Sequence, residues 1–291
     1  MSNLLDLLIA GLATGAIYAL VAIGFTLLWQ TSQTINFAQG EFVMLPAFLM
    51  LGAMHAGASF WLAILVGLGL SLILLGLGFK LLLVDPMLRH GVLPLAIATM
   101  ALSLGLKEAV KQFFSAEASP FPSIVPAGEL DVFGRAVSLQ SIGVFVVAIV
   151  AVIALNALLS RSSVGHQMQA AAQNPTVARI IGVPVERMIL LTFLINAVLV
   201  VLAALLITPI YLAKFSSGET LGLAAFIAAI VGGFNSIRGA IAGGLLIGIV
   251  DNLAAAYVST QYRAAVPLIL LIAIILFRPQ GLLGRREERT V

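Results

Sequence analysis

The chain has 291 residues, of which 61% are hydrophobic and only 9% are charged, and its mean hydropathy is +1.14. A soluble domain carries about 25% charged residues, so this composition excludes a normal water-facing surface and indicates an integral membrane protein. The net charge of +3 is scattered along the chain and gives no argument for nucleic acid, while the absence of cysteine excludes disulfides and thiolate metal sites.

Apolar runs near 20 residues long predict an all-α fold, a polytopic membrane helix bundle, because lipid forces each segment to satisfy its own backbone groups. We expect a single transmembrane domain over 1–291 with eight or nine hydrophobic segments. Their predicted bounds are 4–29, 42–55, 59–83, 93–113, 141–160, 188–212, 221–234, 239–257 and 264–277.

Two of these segments, 42–55 and 221–234, are too short for a simple span. Each holds about 14 residues, whereas a hydrocarbon core about 30 Å thick needs about 20 at 1.5 Å per residue. Short segments interrupted by glycine are typical of discontinuous or re-entrant helices, which in transporters surround the substrate path. A tilted or partly buried helix is the alternative.

Polar residues inside apolar segments are costly in lipid, so they should face the bundle or a wet cavity. The candidates for lining a solute path are Asn36, Gln39, Glu41, Asn196, Asp251 and Asn252. Their amides and carboxylates can hydrogen-bond a small polar solute. Structural alternatives exist: "NFAQGE" can cap the following helix with Glu41 in its first turn, and Asn196, Asp251 and Asn252 can bond one helix to another.

The distribution of lysine and arginine between the two sides of the membrane predicts the orientation of the chain. If nine segments cross, ten of the fifteen basic residues lie on one side, which the positive-inside rule makes cytoplasmic, together with the C-terminal stretch. The external side then holds the N-terminus and a loop over 114–140, interpreted as a short cap on the outer face or as a solvated loop. The five basic residues predicted to be external are Lys107, Lys111, Arg135, Lys214 and Arg263.

Residues 161–187 interrupt the apolar pattern with a polar insert. Asn174 is a favourable N-cap, Pro175 suits the first helical position, and Gly182 stands where a helix ends in a left-handed residue. These signals predict a helix of about seven residues, Pro175 to Ile181, preceded by a short helix over "GHQMQAAA". The insert is therefore predicted to form a cytoplasmic elbow of two helices.

Three apolar residues of this elbow, Val177, Ile180 and Ile181, need a groove to cover them, either on the membrane helices of this protein or on a partner. The chain has no G-x-x-x-x-G-K-[ST] motif to cradle nucleotide phosphates, and its three histidines show no ligand spacing. An elbow in a transport-like bundle without an ATP site favours docking of a motor subunit. An amphipathic loop lying on the bilayer is the alternative.

Four stretches resemble one known family in order along nearly the whole chain. They are "GAIYALVAIGFTLLW" with "TINFAQGEF", "GHQMQAAAQNPTVARIIGVPVERMILLTF", "AIVGGFNSIRGAIAGGLLIGIVDNL" and "RPQGLLGR". The sequence resembles the membrane-spanning permease subunits of branched-chain amino acid ABC importers, the LivH type. Two positions depart from the family pattern: Gln39 replaces the usual histidine of "NFAHGE", and Gln169 stands where the general importer signature has an acid.

The resemblance implies a multi-pass subunit of the bacterial inner membrane that takes up branched-chain amino acids or a related small polar solute. Family members carry branched-chain or other amino acids, urea, short amides or aromatic acids. The implied partners are a second permease chain, usually related but different, two cytoplasmic ATPases that hold ATP and Mg²⁺, and an external solute-binding protein. This chain itself would hold no cofactor and no catalytic residue.

The coupling region of the family falls on the elbow. The residues expected to contact the ATPase are Gln173, Asn174, Pro175, Arg179 and Gly182. The main alternative function is a self-contained secondary transporter or channel, which would need no partner and would leave the elbow as a surface loop. A membrane-embedded scaffold is a third class, in which the intramembrane polar residues would line no path.

Overall fold

The computed structural model describes residues 2–114, 117–126, 128–131, 136–259, 263 and 265–284. Four arginines that entered the predicted orientation, Arg135, Arg285, Arg286 and Arg289, lie outside the described residues. Every one of the nine predicted hydrophobic segments coincides with a helix. Within the described ranges, six helical stretches are long and apolar enough to cross a membrane, so the chain is a multi-pass membrane protein. They are Leu4–Ser32, Phe60–Leu88, Val92–Phe113, Leu139–Arg161, Val185–Tyr211 and Ile237–Tyr257.

The first half of the chain contains α1 (Ser2–Ser32), α2 (Gln39–His55), α3 (Phe60–Ser71), a π-helical segment (Leu72–Val84), α4 (Asp85–Leu88) and α5 (Val92–Phe113). The second half contains α6 (Leu139–Arg161), α7 (Ser163–Gln173), α8 (Pro175–Ile180), α9 (Val185–Tyr211), α10 (Ser217–Gly232), α11 (Ile237–Tyr257) and α12 (Ala265–Phe277). The predicted all-α membrane bundle is confirmed.

The shortness predicted for two segments is also observed. Helices α2 and α10 have 17 and 16 residues, which at 1.5 Å per residue makes each about 25 Å long. Both fall below the roughly 30 Å of a hydrocarbon core. Helix α2 is nevertheless deeply buried along most of its length, which is the environment of a helix surrounded by protein.

One feature of the predicted external loop was not expected from the sequence. Strand β1 (Glu129–Asp131) pairs antiparallel with β2 (Ala136–Ser138), with Leu130 opposite Val137. The pairing satisfies the backbone groups that the two strands turn toward each other, which helps this part of the loop hold a defined shape. Strands of three residues are too short to produce an alternating pattern that stands out in a sequence.

The chain divides into two compact units. The first comprises Met1–Thr26, Val125–Ile149 and Leu223–Val291, and the second comprises Leu27–Ile124 and Val150–Gly222. The first unit is held by a seam of small residues between α1 and α11, where a Cβ placed on Gly15 would lie 2.8 Å from the Cα of Leu245. Small residues of this kind allow helix backbones to approach closely in lipid.

The second unit has an aromatic centre built by α2, the π-helical segment and α9. The ring of Phe79 meets that of Phe42 edge to face at 4.8 Å and that of Phe193 at 5.7 Å. In the same π-helical segment the buried Lys80 places its Nζ 2.7 Å from an Oδ of Asp85. A spacing of five residues suits this ion pair because a π-helix repeats its hydrogen bonds at i→i+5.

Candidate solute path and coupling elbow

Three of the predicted path residues form a buried cluster of amides in the second unit. Gln39 Nε2 donates to Asn196 Oδ1 at 2.7 Å, and Gln39 Oε1 accepts from Asn196 Nδ2 at 3.1 Å and from Asn36 Nδ2 at 3.2 Å. All three residues are fully buried. The structure therefore brings together residues separated by 157 positions in the sequence, and their amides bond to one another.

Asn36 also shapes the entrance to α2. Its Oδ1 accepts from the backbone N–H of Ala38 at 3.0 Å, and the Gln39 N–H donates to the Asn36 carbonyl at 3.1 Å. The N-cap position of α2 is held by Ala38, whose side chain makes no capping bond. Asn36 thus stabilises the turn before the helix, two residues ahead of the N-cap.

Glu41, the fourth predicted path residue, lies in the first turn of α2 and is only 3% exposed. It lines a cleft of about 400 Å³, called here the Glu41 cleft, which lies within the second unit. The other polar residues of the cleft are Ser103, Lys107 and Glu219, and its apolar residues are Phe37, Met100 and Leu104. Lys107 Nζ lies 2.8 Å from Glu219 Oε2, and Ser103 lies beside Glu41.

Glycines bring the two carboxylates of this cleft together. Helix α2 begins Gln39, Gly40, Glu41, and α10 begins Ser217, Gly218, Glu219. The two helix starts touch backbone to backbone, because a Cβ on Gly40 would collide with the Gly218 carbonyl and one on Gly218 would lie 2.9 Å from the Glu41 nitrogen. Each glutamate thus occupies the first turn of its helix, where the helix dipole favours a negative charge.

The two remaining path candidates lie in the first unit, on α11. The Asp251 carboxylate accepts from Arg263 Nε at 2.6 Å and from Arg263 Nη2 at 2.5 Å, and it also accepts from the Tyr18 hydroxyl at 3.0 Å. A bidentate arginine pair fixes both oxygens of the carboxylate. Asp251 thereby joins α11 to α1, which is the helix-to-helix arrangement weighed for it from the sequence.

Asn252 follows Asp251 on α11 but faces differently. Its Nδ2 donates to the Gly248 carbonyl one turn earlier, at 2.9 Å. A side chain that bonds its own helix backbone satisfies itself in an apolar setting without a second helix. The Asn252 side chain therefore bonds to the backbone of its own helix, whereas the Asp251 carboxylate bonds to Tyr18 and Arg263.

The elbow forms with the predicted caps. Asn174 Oδ1 accepts from the backbone N–H groups of Thr176 and Val177 at 3.1 and 3.0 Å, and Pro175 is the first residue of α8. Gly182 follows with a φ of +87°. Helix α8 ends at Ile180, one residue before the predicted end, with Ile181 as its C-cap.

The other predicted coupling residues lie at the surface of the elbow. Gln173 is the exposed last residue of α7, and Arg179 pairs with Glu186 of α9 at 2.6 Å. Ile180 is 79% exposed, and Val177 and Ile181 are also exposed. The membrane helices of this chain thus do not cover the apolar face of α8, which leaves it open to a partner or to lipid.

Gln169, which stands where the general importer signature has an acid, bonds to its own chain. Its Nε2 donates to the Leu159 carbonyl at 2.7 Å, in the last turn of α6. An amide can donate to that unpaired carbonyl at a helix C-terminus, whereas an ionised carboxylate cannot. The amide at this position, in place of the acid of the general importer signature, therefore joins α7 to the end of α6.

Sequence reasoning missed Lys107, Glu219, Ser103 and Arg263 as members of these polar sites. A signal for part of the cleft was present: Met100, Ser103, Leu104 and Lys107 follow one another at steps of three, one and three, which places them on one face of α5. Nothing in the sequence indicates that α10 would bring Glu219 to that face. The partners of the path residues depend on tertiary packing.

Comparisons with known proteins identify the family of the chain. The family described as "Branched-chain amino acid transport system / permease component" matches residues 7–275. The chain is 34% identical over 302 residues to the high-affinity branched-chain amino acid transport system permease protein BraD of Pseudomonas aeruginosa, covering 99% of this chain and 98% of that protein.

Two further relatives carry related descriptions. The chain is 31% identical over 298 residues to the permease protein LivH of the high-affinity branched-chain amino acid transport system of Escherichia coli K12, covering 97% of this chain and 96% of that protein. It is 28% identical over 286 residues to the probable branched-chain amino acid transport permease protein LivH of Methanocaldococcus jannaschii, with 91% and 88% covered. The similarity thus extends over nearly the full length.

Proposed function

The chain belongs to the family of permease components of branched-chain amino acid transport systems, and from this premise we propose that it is the membrane-spanning subunit of an ATP-driven importer. Its solute is a branched-chain amino acid or a related small polar solute. The chain is a transport component and not an enzyme. ATP and Mg²⁺ are bound by a partner ATPase, and no cofactor is bound by this chain.

The proposed assembly contains this chain, a second permease chain that is either related or identical to it, two cytoplasmic ATPases and an external solute-binding protein. It lies in the cytoplasmic membrane of a bacterium, with the C-terminus of this chain in the cytoplasm. The elbow carries the proposal, because its capped helix presents Val177, Ile180 and Ile181 as an exposed apolar face beside charged residues. A face of that kind suits a protein groove.

The mechanism proposed is alternating access. A loaded binding protein docks on the outer face, the two ATPases close on ATP, and their movement reaches the membrane helices through the elbow at Gln173, Asn174, Pro175, Arg179 and Gly182. The solute passes residues of the path, for which Asn36, Gln39, Glu41, Asn196, Asp251 and Asn252 are the candidates. Hydrolysis of ATP then resets the helices.

Uptake in reconstituted vesicles tests the proposal. Vesicles that contain this permease with its second chain, the ATPases and the loaded binding protein should take up labelled L-leucine when ATP is supplied. Vesicles that lack either the ATPase or the binding protein should take up none above background. Uptake by this chain alone would refute the importer-subunit function and support a self-contained transporter.

A variant of the elbow tests the coupling role. Gly182 has a φ of +87°, whereas proline fixes φ near −65°, so Gly182→Pro should displace the end of α8. We expect this variant, and a deletion of 175–182, to lose the ATPase on co-purification while the membrane helices stay folded by circular dichroism. The matched control is Gly57→Pro, since Gly57 also has a positive φ of +93° and open space around it. Normal ATPase retention by Gly182→Pro would contradict the docking role.

A further inference from the structure

The Glu41 cleft holds two carboxylates, Glu41 and Glu219, but only one ammonium group, that of Lys107. Lys107 and Glu219 neutralise each other at 2.8 Å. Glu41, which is 97% buried, forms no salt bridge with any residue in the described ranges; Ser103 lies beside it, and the nearby charge of Lys107 is already engaged by Glu219. An unpaired buried carboxylate is costly, so a cation that enters the cleft gains a partner that the protein does not supply.

Lys107 provides the complementary half of the cleft. An ammonium group has three N–H donors, and Glu219 takes one of them. The remaining donors of Lys107 are available to an anion, and Glu219 holds the long lysine side chain in place. The cleft therefore offers an acceptor for a cation and a donor for an anion on opposing elements, Glu41 on α2 and Lys107 on α5.

The rest of the cleft is apolar. Met100 and Leu104 lie on the same face of α5 as Ser103 and Lys107, and both are largely exposed, while Phe37 closes the cleft beside α2. A volume of about 400 Å³ lies within the range of small-molecule sites, which combine apolar walls with a few placed polar groups. The cleft lies in the part of α5 that leads into the loop predicted to be external.

From this combination we propose that the Glu41 cleft binds the solute as a zwitterionic α-amino acid with an apolar side chain. Glu41 accepts hydrogen bonds from the α-ammonium group, and Lys107 donates to the α-carboxylate. The aliphatic side chain of the solute lies against Met100 and Leu104. This inference rests on the proposed function and adds the residues that recognise the solute after the binding protein releases it.

Transport by the complete assembly gives the first test. Glu41→Gln and Lys107→Gln should each lower L-leucine uptake at least tenfold at saturating loaded binding protein, while ATP hydrolysis stimulated by the binding protein stays within twofold. Leu104→Trp should lower uptake similarly, because it fills the cleft without changing its charge. The matched controls are Glu108→Gln and Lys111→Gln, which remove a 3.6 Å ion pair on the same helix outside the cleft lining.

A labelling experiment measures binding at the cleft directly. The chain has no native cysteine, so Ser103→Cys in the assembled importer without binding protein gives a single permease thiol in the cleft when the partner chains are also cysteine-free. L-Leucine should slow modification of this thiol by a small methanethiosulfonate reagent at least threefold. 4-Methylpentanoate, which lacks the amino group, should not protect it.

The outcomes distinguish failure of the proposed transport function from failure of the proposed solute binding by the Glu41 cleft. If the wild-type assembly takes up no leucine, the proposed function fails and this inference fails with it. If the wild type takes up leucine but Glu41→Gln, Lys107→Gln and Leu104→Trp all stay within twofold of it, only the inference is overturned. Equal protection of the Ser103→Cys thiol by leucine and by 4-methylpentanoate would also overturn it. If Glu41→Gln fails to assemble, the uptake by Lys107→Gln and Leu104→Trp and the labelling of Ser103→Cys still test whether the cleft binds the amino acid.

Discussion

Gln39 occupies the centre of the buried amide cluster because a primary amide offers both donors and acceptors. Its Oε1 accepts two hydrogen bonds and its Nε2 donates one, to side chains on the preceding turn and on α9. A neutral histidine, which the family pattern has here, offers one donor and one acceptor and cannot form all three bonds. Gln39 and Asn196 therefore form a matched pair in this chain.

Gln39→Leu tests that pairing. It should leave both polar atoms of the Asn196 amide and the Nδ2 of Asn36 buried without partners, and lower the free energy of unfolding by about 1–3 kcal/mol. Thermal unfolding in detergent measures the loss, with the exposed Gln112→Leu on α5 as control. The double variant Gln39→Leu with Asn196→Leu should recover part of the stability, since both ends of the strongest bond are then apolar. Additive losses in the double variant would contradict the pairing.

At the scale of elements, the contact between the starts of α2 and α10 positions the Glu41 cleft. Gly40 and Gly218 let the two backbones touch, and the residue after each glycine is the glutamate that lines the cleft. A short helix that starts at the protein interior places its first turn, and not its middle, next to a site. This geometry resembles the half-helix termini that surround solute sites in transporters.

Gly40→Ala should push the two helix starts apart, because its Cβ would overlap the Gly218 carbonyl. We expect a loss of about 3 kcal/mol in stability and a loss of leucine uptake by the reconstituted assembly. Gly69→Ala on α3 is the matched control, since nothing lies within 4 Å of its Cβ. That change should be neutral or stabilise the helix by up to about 1 kcal/mol. Equal behaviour of the two variants would contradict the close contact.

Much of this architecture could be predicted from local signals. Hydropathy located every membrane helix, and the capping residues Asn174, Pro175 and Gly182 located α8 to within one residue. The π-helical form of Leu72–Val84 could not be predicted, because its composition equals that of an apolar α-helix. The contacts of Gln39 with Asn196, of Glu41 with Ser103 and of Asp251 with Tyr18 could not be predicted either, since each partner lies on another helix and depends on packing that no local pattern records.

At the scale of the whole molecule, the orientation in the membrane that the basic residues predict can be measured. The chain has no cysteine, so single substitutions report directly. Thr176→Cys in the elbow should react with a membrane-impermeant maleimide only after the membrane is opened. Ala118→Cys in the loop 114–140 should react in intact cells. Both positions are exposed in this chain, and expression without the ATPase subunits keeps position 176 accessible. Labelling on the reverse sides would contradict the orientation.

The bond from Gln169 to the Leu159 carbonyl has a mechanical consequence. Helix α7 is fixed to the end of α6 by that bond and by Gly165, which leaves no room for a Cβ against the Leu158 and Leu159 backbone, and it also packs on α9. The connection between α6 and α7 is therefore tight. If a partner moves α8, as proposed, we expect the ends of α6 and α9 to move with it as whole helices, without bending at the connection between α6 and α7.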